Sequence, residues 1–180
     1  MKSFSLELRG CHFQQAYLIY IIKLKAKNKD YYYVGQTGDS HYKIARPAFL
    51  RLAGHLELRQ KSTQNQIVKY ICKELIKEDL ESSNHYDKLK YKILEFLSTC
   101  HLGMNVYPVY EISNNISKKE HQDKNRMIKE FEKHIIRLFE KNNKELMNKS
   151  KPKPKEDLLD SNLINILSKI CKDFNCKRNF

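Results

Sequence analysis

Residues 17–25 read Tyr-Leu-Ile-Tyr-Ile-Ile-Lys-Leu-Lys, a block rich in β-branched and aromatic side chains that predicts a β-strand. The polar stretch Lys27-Asn28-Lys29-Asp30 follows and predicts a turn. Tyr31-Tyr32-Tyr33-Val34-Gly35 then predicts a second strand. Together they make a β-hairpin, and the rest of the chain must pack on it. Gly35 and Gly38 end the hairpin, where the chain is expected to need backbone freedom.

After the hairpin the apolar period changes. Phe49, Leu52, Ala53 and Leu56 form one helical stripe within 45–59, with Pro47 suited to the first turn. Two further helices are expected at about 63–80 and 85–99, carried by Ile67, Tyr70, Ile71 and Leu75, then by Leu89, Ile93, Leu94 and Leu97. Gly103 breaks this pattern. Met104 to Ile112 predicts a third strand, which Pro108 places at an edge or at a bulge. Ser117-Lys-Lys-Glu120 has capping-box spacing and opens a long helix through Ile128, Phe131, Ile135, Leu138 and Phe139. A stiff basic linker, Lys151-Pro152-Lys153-Pro154, leads to a final helix from Leu158 to Phe174. The expected fold class is α+β: a small three-stranded antiparallel sheet flanked by helices, with a helical insertion and a C-terminal helix.

The chain of 180 residues suits one domain, or one domain with a small appendage. It carries 34 Lys and Arg against 21 Asp and Glu, a formal net charge of +13. Such an excess attracts polyanions, and nucleic acid is the commonest soluble one. The five cysteines, Cys11, Cys72, Cys100, Cys171 and Cys176, lack zinc-knuckle or redox spacing and are expected to be free thiols in a reducing compartment. The apolar run from Ala16 to Ile22 is far too short for a membrane span and lacks a signal-peptide cleavage site. A cytoplasmic protein is expected.

Into the hairpin and helices fall two tripeptides, Leu18-Ile19-Tyr20 and Tyr33-Val34-Gly35, then Thr37, then Arg51-x-x-x-His55, then Glu132 with Ile135, Ile136 and Leu138 behind it. This ordered set resembles the GIY-YIG nuclease superfamily over about residues 16–148. Leu18 departs from the first glycine of the motif without touching its tyrosine. An asparagine that the family often carries after the glutamate would fall at Lys144, so Asn148 could fill that supporting role only through a short insertion.

The resemblance implies a metal-dependent DNA endonuclease with Tyr20, Tyr33, Arg51, His55 and Glu132 in its active site. Cutting a phosphodiester needs an activated water, charge neutralisation on phosphate, and help for the leaving oxygen. In this reading Glu132 holds one Mg²⁺ or Mn²⁺. Arg51 offers a planar fork to phosphate. Tyr20 is the base and needs a cation beside it, because a phenol titrates near pH 10. Tyr33 orients water or phosphate, and His55 assists Tyr20 or shuttles its proton. Taken singly, strand tyrosines are usually packing residues and a helical glutamate usually joins a surface ion pair; the ordered set is what points to chemistry.

Lys43, Arg46 and Arg59 are candidate contacts to the DNA backbone. Lys118-Lys119, the lysines from Lys149 to Lys155, and Lys177-Arg178 are either phosphate contacts or solvated charges. Residues 1–148 are expected to form the nuclease domain, with the insertion at about 60–100, and 149–180 a linker and helix. The lack of a zinc module or long DNA-binding tail favours the restriction-endonuclease branch. The partner would be double-stranded DNA, and a homodimer would match a palindromic site.

Overall fold

The computed structural model describes residues 7–38, 45–81, 85–113, 115–155 and 160–177. Two strands, β1 (Ala16–Ala26) and β2 (Lys29–Gln36), form the hairpin. They are joined at Lys27 and Asn28, whose φ angles of 49° and 63° supply the left-handed pair that a tight hairpin turn requires. The turn is thus two residues long, and Lys29 and Asp30 already belong to β2.

The first helix, α1 (Ala48–His55), is shorter than the expected 45–59, with Pro47 at its N-cap and His55 ending its last turn. The stretch expected as one helix over 63–80 begins as α2 (Gln66–Tyr70) and widens into a π-helical turn over Ile71–Ile76. Lys77, left-handed with φ 65°, stops it. The second insertion helix, α3 (Tyr86–Ser98), buries Leu89 and Ile93 as its stripe demands.

Strand β3 (His101–Glu111) runs antiparallel to β1, with Gly103 inside it rather than before it. Pro108 sits on an edge strand, where the β1–β3 register shifts by a bulge at Tyr17/Leu18. Both placements accept a residue that has no N–H to donate.

Helix α4 (Lys118–Lys141) starts at Ser117, whose hydroxyl accepts the Glu120 N–H, and buries Ile128, Phe131, Ile135, Leu138 and Phe139. A two-residue strand, β4 (Glu145–Leu146), pairs parallel with β2. The sheet therefore has four strands in the order β3-β1-β2-β4 and is mixed, where three antiparallel strands were expected. Two residues are too few to show an apolar alternation, so β4 leaves no mark in the sequence.

Helix α5 (Ser161–Asp173) is capped by Asp160, and Leu158 lies outside the described residues. It joins the main core through Leu163, Leu167 and Ile170. Tyr107 donates to Asp173 (2.8 Å), Tyr110 to Asp160 (3.0 Å), and the Asn162 amide to the Val109 carbonyl (3.1 Å).

Both faces of the sheet are covered. Tyr17, Ile19, Ile21, Tyr32 and Val34 pack with α4 and α5. Leu18, Tyr20, Ile22, Leu24 and Tyr31 pack with Ala48, Ile67, Ile71 and Met147 on the other side. That is why β1 reads as an apolar run from Ala16 to Ile22, where it has no solvent face and no polar positions to alternate, before Lys23 and Lys25 mark its emergence. All five cysteines are free thiols. Among the described residues no helix is long and apolar enough to cross a membrane.

Candidate active site

The site grows from the outer edge of β2. Tyr32, Val34 and Gln36 turn backbone polar groups away from β1, and a sheet edge must satisfy these somewhere. The Tyr32 carbonyl accepts the Met147 N–H at 2.7 Å. Beyond that point β4 has ended, and the Asn148 side chain takes its place. Its amide accepts the Val34 N–H at 3.0 Å and donates to the Val34 carbonyl at 2.8 Å. The Gln36 carbonyl is then met by Arg51 Nη2 at 2.9 Å, which fixes the guanidinium of α1 beside the strand. Thr37 closes the other side of the hairpin end. Its hydroxyl accepts the Leu18 N–H (3.1 Å) and donates to the Ala16 carbonyl (2.6 Å).

Register places Tyr20 opposite Gly35 and Ile22 opposite Tyr33, so both phenols lie on the α1 face. The Tyr20 hydroxyl is 2.8 Å from His55 Nε2. Tyr33 packs against both, its ring centroid 6.3 Å from Tyr20 and 4.4 Å from His55. Gly35 makes this packing feasible. A Cβ there would lie 2.3 Å from Tyr20 Cζ and 2.4 Å from its hydroxyl. Neither Gly35 nor Gly38 has a positive φ, so the expected need for backbone freedom is replaced by a need for space. At Gly38 a Cβ would meet Asn125 Oδ1.

The two phenols differ in access. Tyr20 is 1% exposed, whereas Tyr33 is partly exposed and its hydroxyl meets no hydrogen-bond partner among the described residues. Burial pushes the Tyr20 phenol well above its ordinary range, and the Arg51 cation opposes this without reversing it. Tyr33 is pushed up to about 12, first by burial and then by Glu132, again against Arg51. His55 falls to about 4, because burial disfavours the imidazolium and Arg51 repels it. The Gln64 backbone favours the charged ring slightly, yet it is too loose a contact to satisfy His55 Nδ1.

From α4, Glu132 lies within electrostatic range of Tyr20, Tyr33 and Arg51. Among the described residues it makes no hydrogen bond or close ion pair. Burial raises its carboxyl to about 7, and Arg51, Lys129 and Lys133 only partly offset this. The tyrosine–histidine pair, the guanidinium and the carboxylate thus meet in one place. At neutral pH the resting site holds one firm charge, the Arg51 cation.

No group of three or more His, Cys, Asp or Glu that could hold a metal ion occurs among the described residues. The residues present instead fit a largely hydrated divalent ion, which needs one carboxylate and keeps most of its waters. Glu132 is suited to it: a partly buried carboxyl, raised in pKa, with no cation close enough to pair with it.

Of the other candidates, Lys43 lies outside the described residues. Arg46 is half-buried and its guanidinium donates to Gln64 Oε1 at 2.7 Å, next to α1. Arg59 is exposed and pairs with Glu57. His121 is buried against the Tyr17 hydroxyl, away from any candidate metal set. Three features escaped the sequence reading: the Gly35–Tyr20 contact, the Gln36 carbonyl that holds Arg51, and Lys129 and Lys133 beside Glu132. The spacing of lysines around Glu132, at i−3 and i+1, was the one signal available for them. No family model, curated protein or solved structure matches this chain.

Proposed function

We propose that this protein is a GIY-YIG-type endonuclease that hydrolyses phosphodiester bonds in double-stranded DNA with one Mg²⁺ or Mn²⁺ per site. Its simplest role is that of a cytoplasmic, sequence-specific restriction enzyme, working as a homodimer on a palindromic site. The observation that carries the reading is convergence: Tyr20, Tyr33, Arg51, His55 and Glu132 come from four elements and meet in one cluster.

Each residue then has a physical task. Arg51, anchored on the Gln36 carbonyl, presents its remaining donors to a phosphate oxygen. The accessible Tyr33 hydroxyl orients the attacking water or the phosphate. Tyr20 takes the proton of that water on its oxygen while its own proton passes to His55 Nε2, 2.8 Å away. The relay is uphill in the resting site, since His55 is held near 4 with Arg51 beside it. An entering phosphate offsets the Arg51 charge and moves His55 toward protonation. A divalent ion at Glu132 would supply Lewis acidity toward the phosphate and a more acidic water.

One observation favours a second reading, a basic nucleic-acid-binding protein without activity: Tyr20 is 1% exposed, as a packing residue would be. A digest of supercoiled plasmid with Mg²⁺ or Mn²⁺ separates the two. Discrete fragments support the restriction enzyme, and cutting confined to branched DNA supports a structure-selective or mobile-element relative. Retarded but intact plasmid under every metal tested overturns the nuclease. If cutting occurs, Tyr33→Phe and Glu132→Ala should each remove it.

A further inference from the structure

The segment from Asn148 to Lys155 crosses the surface between two anchors, the first of them beside the candidate site. At its start the Asn148 amide grips Val34, the neighbour of Tyr33. At its end the Lys155 N–H bonds the Glu130 carboxylate, two residues before Glu132 on α4. Glu130 is held in turn by Lys133 at 2.7 Å. Between the anchors, Lys151 and Lys153 each precede a proline, which confines them to extended or polyproline conformations. Burial alternates: Lys151, Lys153 and Lys155 are exposed, while Pro152 and Pro154 are half-buried against the protein. Lys149 is exposed as well. Among the described residues none of these four ammonium groups enters an ion pair.

The strap also forms one wall of a cleft of about 870 Å³, whose opposite wall is the α2 and π-helical stretch of the insertion. The cleft contains carboxylates, but most are already committed to lysines: Glu74 to Lys77, Glu81 to Lys69, Glu78 to Lys92 and Glu145 to Lys29. Among the described residues, Lys73 on the far wall and Lys149 and Lys151 on the near wall are left as the uncommitted cations.

We propose that this strap is a phosphate rail that tracks one backbone of a DNA duplex past the candidate site. Alternate residues of an extended chain advance about 6 Å, on the order of the distance between successive phosphates along one strand of a duplex. The exposed lysines can therefore each meet a phosphate in turn. A flexible tail would have to be ordered first, whereas the strap is held at both ends and stiffened by two prolines. The pins fix where the rail leads: from the Val34 edge beside Tyr33 to Glu130, on a different face of α4 from Glu132.

The proposal deepens the endonuclease reading and takes its substrate from it, so its test is one of binding, with no turnover. A fluorescently labelled duplex is titrated with the full-length protein in EDTA over a series of KCl concentrations, and anisotropy gives the dependence of affinity on salt. Each lost phosphate contact lowers the slope of log K against log salt by about 0.9. Changing Lys149, Lys151, Lys153 and Lys155 to Gln should therefore lower it by about 3 to 4. The four Lys→Arg changes at the same positions should preserve the wild-type slope. A control with Lys25, Lys27, Lys169 and Lys172 changed to Gln removes the same charge from the hairpin turn and α5, and should also preserve it. Thermal unfolding of every variant confirms the fold. Equal losses in the strap variant and the control, or no loss in the strap variant, would overturn the rail, as would wild-type binding to anionic vesicles but not to duplex. A protein whose salt slope depends on the strap but that never cuts DNA keeps the rail and loses the nuclease; cutting without strap dependence does the reverse.

Discussion

Glu132→Gln preserves the shape of the side chain while removing its ability to ionise. Burial holds the Glu132 carboxyl at about 7 against an ordinary 4.5, so the folded protein retains a proton that the unfolded chain releases. The stability tied to this group is complete below pH 4.5 and is lost as the pH rises through 7. At about 1.4 kcal/mol per pH unit the loss approaches about 3 kcal/mol, trimmed toward 2 because the side chain is partly exposed. His55 acts in the opposite sense. Held near 4 against 6.5, it contributes stability above pH 6.5 that is lost as the pH falls through 4. In the wild type the two nearly cancel between pH 4.5 and 6.5, so the informative quantity is the difference between variant and wild type. Urea unfolding without divalent metal should give equal stabilities within about 0.5 kcal/mol at pH 4.5. At pH 8 the variant should be more stable by about 2–3 kcal/mol, roughly 4–12 °C in melting temperature for a chain of this size. The stabilised variant should also have lost DNA cleavage. A difference that stays flat from pH 4.5 to 8 would refute the reasoning, because Glu132 would then be an ordinary solvated carboxylate.

Three other perturbations probe the same cluster. Gly35→Ala places a methyl 2.3 Å from the Tyr20 ring, so it should cost about 1–3 kcal/mol in chemical denaturation and abolish cleavage while DNA binding persists. Tyr20→Phe leaves His55 Nε2 without its partner at a cost of about 1 kcal/mol, and cleavage at unchanged rate would remove Tyr20 from the chemistry. Asn148→Ala strips both bonds from Val34, so the Val34 amide should lose hydrogen-exchange protection and stability should fall by about 1–3 kcal/mol.

The parts of this fold that obey a period were legible. The hairpin, α3, α4 and β3 follow from runs of apolar residues, and Pro108 pointed to an edge or a bulge, of which the structure has both. What stayed hidden depends on groups that meet only after folding. Strand β4 is two residues long and owes its place to the Tyr32 carbonyl. The π-helical turn at Ile71–Ile76 keeps the same apolar residues as an α-helix would, so composition does not distinguish them. In the site, the five side chains could be picked by order along the chain, but their protonation could not. The need for a cation beside Tyr20 was foreseeable; that burial would outweigh Arg51 was not, because burial is a property of the whole core around Tyr20.

The two margins of the sheet end on side-chain amides: Asn148 occupies the Val34 backbone and Asn162 the Val109 carbonyl. At those points a second copy finds no vacant ladder to extend, so self-association by strand addition is blocked there without any charged guard on the strand itself. The cap on the β3 margin covers Val109 alone, so a strand added to this sheet would have to register on the stretch of β3 before it.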